Sequence, residues 1–345
     1  MNEIIKEDIS RIINQDINWD KLRNSTVLIT GASGMLGVYF VYTLLLLNEE
    51  KHYDIDIICA IRNEKKLPKQ IKNNSKVKIY IHDVSNPFII NDKVDYIIHA
   101  ASPASPLIMK NDPVGTVAAN SLGAFYTLSL AKEKKSKGYL FISSREIYGQ
   151  PNDEQDYFTE ETYGFVDPLD PRSCYPEGKK VAETMCSAFH AQYGINTKIA
   201  RLAHTYGPGM SIYDGRVQAD FLKNVINNED ILLKSDGSSI RTYTYVGDAV
   251  AGIWRAFLNG KELVYNIGDE NAKVSIRELA ELLINIEKEK KLKLIFEIEE
   301  KKLGCAPFTK GILSSKKIRE LGWRPQNTIE EGFSRTIKYL KTINE

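Results

Sequence analysis

A short apolar run, Thr26-Val27-Leu28-Ile29-Thr30, leads directly into Gly31-Ala32-Ser33-Gly34-Met35-Leu36-Gly37 and then into an apolar helical stretch through Leu47. A strand, a tight glycine turn and a helix in that order leave few folds open, because together they build a phosphate site. Gly31 and Gly34 let the backbone turn and approach a pyrophosphate, while Gly37 lets helix and strand pack closely. The helix N-terminus then points its free N–H groups at the anion. The expected contacts to a dinucleotide are Gly31, Ser33, Gly34, Met35, Leu36 and Gly37.

Runs of buried-strand type recur at 56–61, 77–81, 94–99, 138–143 and 196–202, and helical stretches such as 116–132 lie between them. Such alternation predicts an α/β chain with a parallel sheet covered by helices on both faces. An NAD site usually ends its second strand on an acid that holds the adenosine ribose; here that end reads Ala60-Ile61-Arg62-Asn63, with Lys65 and Lys66 behind. A guanidinium in place of the acid suits a 2′-phosphate and favours NADP over NAD, unless Arg62 only stacks on adenine or faces water. Asp83, beside Val84, is placed to meet the adenine amino group. Ala100, Ala101 and Ser102 are small enough to let a ligand approach the backbone.

A second constellation follows. The stretch Ser173-Cys174-Tyr175-Pro176-Glu177-Gly178-Lys179-Lys180 opens a helix on which Tyr175 and Lys179 share a face. An ammonium one turn away favours the phenolate, so Tyr175 is expected to act as a base near neutral pH. Ser144, at the carboxyl edge of the sheet, supplies a third hydrogen-bonding group, and Glu146 is close enough to reach the same cleft. Residues 150–172 lack periodicity and are expected to form a wall or lid. Arg216 and Arg241 flank small or turn residues, a setting that fits either a phosphate clamp or two surface arginines. Residues 1–25 predict a short amphipathic helix, with Ile4, Ile5, Ile9, Ile12 and Ile13 on one side, as an appendage packed on the main domain.

Bulk properties exclude several classes. Lys and Arg number 46 against 45 Asp and Glu, so no global field favours nucleic acid or an anionic membrane. The apolar run 38–47 is too short to span a bilayer, and the N-terminus, with Glu3, Glu7 and Asp8, lacks the apolar core of a signal peptide. Cys59, Cys174, Cys186 and Cys305 form no C-x-x-C pair, which predicts reduced thiols in a cytoplasmic protein. No metal site is expected.

With these motifs in place, the chain resembles the extended short-chain dehydrogenase/reductases that act on nucleotide-linked sugars, and within them the UDP-glucuronate decarboxylases. Three stretches carry the resemblance: Ala101-Ser102-Pro103-Ala104-Ser105-Pro106, Pro171-Arg172-Ser173-Cys174-Tyr175-Pro176-Glu177-Gly178-Lys179, and Gly207-Pro208 through Asp214-Gly215-Arg216-Val217. It implies a Rossmann-type doubly wound parallel sheet (26–200) after an N-terminal extension (1–25), with a smaller, interleaved substrate-binding domain (201–345). It implies that Tyr175 is the base, that Lys179 tunes it and holds the nicotinamide ribose, that Ser144 orients a sugar hydroxyl and that Glu146 is an acid/base. Arg241 and Arg216 would meet the substrate's nucleotide, and Pro103, Arg145 and His204 would line the sugar site. The implied reaction oxidises the sugar at C4 and ends in decarboxylation; epimerisation, 4,6-dehydration or net redox are the alternatives, and a non-catalytic nucleotide sensor is a further one. A homodimer through a four-helix bundle is implied too. The chain departs from the decarboxylase pattern at Arg145, where a small hydroxyl residue is usual, at His204 and Gly209, and at Cys305-Ala306-Pro307-Phe308-Thr309, where that pattern is basic.

Overall fold

The computed structural model describes residues 1–150, 157–298 and 312–344. Seven strands form the central sheet: β1 (Thr26–Thr30), β2 (Asp56–Ile61), β3 (Val77–Ile81), β4 (Tyr96–His99), β5 (Gly138–Ser144), β6 (Thr197–Leu202) and β7 (Val264–Ile267). They lie in the order β3-β2-β1-β4-β5-β6-β7, every neighbouring pair parallel. The order reverses between β1 and β4, and the crevice beyond that reversal is where an open α/β sheet takes its ligand. The expected Rossmann-type fold with a smaller C-terminal domain is present.

Successive side chains of a strand leave on opposite faces, and β1 shows the result: Val27 and Ile29 enter one core layer, Leu28 the other. The first layer is covered by the helices Met35–Lys51 and Val246–Asn259, the second by Pro113–Lys134 and Cys174–Tyr193. The glycine turn is as tight as its sequence requires. Gly31 sits at φ +68°, and a Cβ there would stand 2.9 Å from Ala101 Cα, while one on Gly37 would stand 2.2 Å from the Gly31 carbonyl oxygen.

The N-terminal helix Glu3–Ile13 packs on the main domain, with Ile4, Ile5, Ile9, Ile12 and Ile13 all buried against the glycine-turn helix and Val246–Asn259. Its Asp8, 3% exposed, accepts hydrogen bonds from Tyr39 Oη (2.8 Å), Tyr245 Oη (2.7 Å) and Arg335 Nη2 (2.7 Å). The helix Val246–Asn259 and strand β7 gave no usable pattern in the sequence. Every residue of that helix except Asn259 is buried, Asp248 and Arg255 included, so its few polar side chains do not mark a solvent face.

The C-terminal domain is built from the sheet His204–Tyr206, Ile240–Tyr245 and Lys273–Ser275 and the helices Val217–Asn227, Ile276–Ile286 and Ile329–Asn344. Ser275 and Glu278 close a capping box at the start of Ile276–Ile286. Cys59 and Cys186 are buried and Cys174 half-buried, all as free thiols; Cys305 lies outside the described residues. Among the described residues, no helix is long and apolar enough to cross a membrane.

Candidate active site

A cavity of about 2120 Å³ runs along the carboxyl ends of the strands, more than one small ligand needs. Gly31, Gly34, Arg62, Asp83 and Ala101 line it beyond β1 to β4, and Ser144, Tyr175 and Lys179 where β5 ends. Pro103, Arg145, Glu146, His204, Arg216 and Arg241 complete the wall toward the C-terminal domain. Ser33, Met35, Leu36, Gly37, Val84, Ala100 and Ser102 also face it. The residues fit a dinucleotide: the Gly34-capped helix Met35–Lys51 opens into the cavity, and the buried Ser102 Oγ there has no protein partner. Of the 150–172 stretch, Phe165, Val166, Asp170 and Arg172 line the cavity, so its described part is a wall; residues 151–156 lie outside the described ones.

Tyr175 is 7% exposed and lines the cleft beside Ser144, whose hydroxyl is close enough to favour the phenolate. Lys179 is 2% exposed and donates from Nζ to the Ile142 carbonyl oxygen at 2.6 Å, with its ammonium 5.7 Å from the Tyr175 ring centroid. Burial, then the Glu146 charge, pushes the phenol up to about 12, and Ser144, Arg216 and Arg172 only partly offset this. Burial pulls Lys179 down to about 7, with the carboxylate of Glu183 opposing it. Burial therefore works against the charged form of both groups.

Glu146 forms an ion pair with Arg172, Nη2 to Oε2 at 3.0 Å. Arg172 stood in a quoted motif without a role; its partner lies 26 residues away, and only the fold brings the two together. Another contact beyond the reach of the sequence braces the tyrosine helix. Ser143 Oγ donates to Glu183 Oε1 at 2.6 Å, and Arg201 holds the same carboxylate, Nη2 to Oε2 at 2.6 Å. Arg216 is fixed by Asp214, Nε to Oδ2 at 2.8 Å, and Arg241 donates from Nη1 to the Ile240 carbonyl oxygen at 2.8 Å. Both therefore line the cleft rather than the outer surface. The departure at Cys305 to Thr309 lies outside the described residues.

Comparison with known proteins decides the family. The model of the NAD-dependent epimerase/dehydratase family matches residues 27–268. The chain belongs to this family. UDP-glucuronic acid decarboxylase 6 of Arabidopsis thaliana is 33% identical over 311 residues, 90% of this chain and 87% of the plant protein. UDP-glucuronic acid decarboxylase 1 of Xenopus tropicalis is 32% identical over 317 residues, 91% of this chain and 72% of that protein. Among solved structures, the UDP-glucose 4-epimerase of Thermotoga maritima shares the fold with a TM-score of 0.77 at 24% identity, covering 93% of this chain and all of that one. The UDP-glucuronic acid 4-epimerase of Bacillus cereus shares it with a TM-score of 0.76 at 20% identity, covering 92% and 99%. As an epimerase/dehydratase family member, the protein is an NAD(P)-dependent extended short-chain dehydrogenase/reductase of the class that modifies nucleotide-linked sugars.

Proposed function

We propose that the enzyme oxidises a UDP-linked sugar at C4 and that decarboxylation of a glucuronyl group is the outcome. The observation that carries the proposal is the gathering of Ser144, Tyr175 and Lys179 at the sheet's carboxyl edge, in the same cleft as the glycine turn. A sugar hydroxyl held by Ser144 Oγ and Tyr175 Oη loses its proton to the tyrosine as the carbon loses hydride. A bound oxidised nicotinamide supplies the hydride acceptor; Gly31, Ser33, Gly34, Arg62, Asp83 and Lys179 are the residues that would hold the cofactor. The resulting C4 ketone would let the C5 carboxylate leave as CO2, Glu146, paired with Arg172, would deliver the proton that C5 then takes up, and return of the hydride would restore the C4 hydroxyl and the oxidised cofactor. Arg216 and Arg241 would take the diphosphate. The identity to two UDP-glucuronic acid decarboxylases supports this outcome over epimerisation.

The test is to incubate the purified protein and cofactor with UDP-glucuronate and with UDP-glucose. Released CO2 marks a decarboxylase, loss of C5 deuterium an epimerase or dehydratase, and accumulated reduced cofactor a dehydrogenase. None of the three signals with either sugar would leave the nucleotide sensor.

For the cofactor we propose NADP, from Arg62 at the end of β2. Arg62→Ala should weaken NADP binding by about tenfold with NAD little changed. Equal loss of both would reduce Arg62 to a stacking contact. We further propose a homodimer through the helices Pro113–Lys134 and Cys174–Tyr193. They pack on each other and leave Val114, Leu122, Phe125 and Val181 exposed. A monomer mass in analytical ultracentrifugation would remove this assembly.

A further inference from the structure

We propose that Ser105 is a positioning residue that ties the cofactor side of the cleft to Arg216, so that a dinucleotide bound at the glycine turn strengthens the hold on a diphosphate at Arg216. The inference rests on the reading above that Arg216 meets the substrate's diphosphate, and adds how the two halves of the cleft are coupled.

Ser105 stands at the start of the short helix Pro106–Asn111, where a serine side chain ordinarily accepts from the helix's own free N–H groups. Here it makes no such bond. Its hydroxyl donates instead to the Asp214 carbonyl oxygen, 2.7 Å away and 109 residues further along the chain. Asp214 in turn fixes Arg216: Oδ1 accepts from the Arg216 backbone N–H at 3.0 Å, and Oδ2 accepts from Nε at 2.8 Å and from Nη2. Gly215 between them adopts φ +79° and seats the turn against the Pro106–Asn111 helix, where a Cβ on it would stand 3.8 Å from Leu107 Cβ. The stretch 207–216 that carries Arg216 is neither helix nor strand, so its place depends on such ties. One hydroxyl therefore holds the turn that holds the guanidinium, and Ser105, Asp214 and Arg216 all line the cleft.

The other end of the connection lies on the glycine turn. The Ala101 N–H donates to Thr30 Oγ1 at 3.2 Å, and Ala101 packs so closely on Gly31 that no Cβ fits between them. Three residues separate Ala101 from Ser105. Pro103 and Pro106 fix their own φ and confine Ser102 and Ser105 before them, so the segment is stiff. A stiff segment carries a displacement at Ala101 through to Ser105 and does not absorb it. A dinucleotide seated against Gly31, Ala101 and Ser102 holds one end of this segment, and the Ser105–Asp214 bond passes that restraint to the Arg216 turn. By linkage, the diphosphate strengthens the dinucleotide by the same factor.

Calorimetric titration of UDP into the full chain, with and without saturating NADPH or NADH (whichever binds more tightly), tests the coupling. In wild type the cofactor should tighten UDP at least about fivefold. Ser105→Ala should bring that factor below about twofold while binding the cofactor alone as wild type does. Ser105→Thr, which keeps the hydroxyl, should restore it. A merely structural role would weaken UDP equally in both titrations, and that result would overturn the inference. So would full coupling in Ser105→Ala, or a wild type whose UDP affinity ignores the cofactor. Each of these leaves the nucleotide-sugar reading standing. A wild type that binds the cofactor but no UDP would overturn that reading as well.

Discussion

Tyr175→Phe should lower turnover by about 10²–10⁴-fold while cofactor binding stays close to wild type. The ring fills a buried position, and phenylalanine keeps that packing while removing the phenol oxygen. Single-turnover measurement of cofactor reduction with UDP-glucuronate, beside a fluorescence titration of the reduced cofactor, separates chemistry from binding. The wild-type rate should also climb with pH across the neutral range. A phenol held up near 12 is mostly protonated there, so each rise in pH enlarges the fraction able to accept a proton. That slope should vanish in the variant. Unchanged turnover would assign the proton to another group.

Asp8→Ala should destabilise the fold by about 3–5 kcal/mol at neutral pH. The carboxylate is 3% exposed and receives two phenols and a guanidinium. These donors come from the glycine-turn helix, from the strand that bears Arg241 and from the closing helix Ile329–Asn344. Removal leaves the Tyr39 and Tyr245 phenols without their acceptor, while Arg335 keeps Glu7 and the Ile4 carbonyl, and stranding the two phenols costs more than their bonds contributed. Urea denaturation of wild type, Asp8→Ala and Asp8→Asn would measure it, the asparagine recovering part of the loss because its amide oxygen still accepts. A loss below about 1 kcal/mol would mean that the N-terminal helix does not lock the two domains together.

The turn at Gly31 to Gly37 and the helix at Tyr175 were legible because both rest on local rules: a backbone angle, a close approach, a one-turn spacing. Asp8 had left a signal too. It falls four residues from Ile4 and from Ile12, in the middle of an apolar stripe, where an acid must find buried partners. The Glu146–Arg172 and Glu183–Arg201 pairs left none, because each joins two elements whose contact is a property of the fold.

The burial of Tyr175 and Lys179 shows the same boundary from the side of energetics. Spacing correctly put the two groups on one helix face. Spacing says nothing of how much water reaches them, and here burial moves both groups against the charged form more strongly than they assist each other.

The amino-acid order alone therefore determined the α/β class, the phosphate turn and the residue types brought to the strand ends, since these follow from the chain's own stereochemistry. Only the tertiary structure decided which charges meet and which are cut off from solvent, because contacts between distant segments and the local dielectric exist only after the layers have packed.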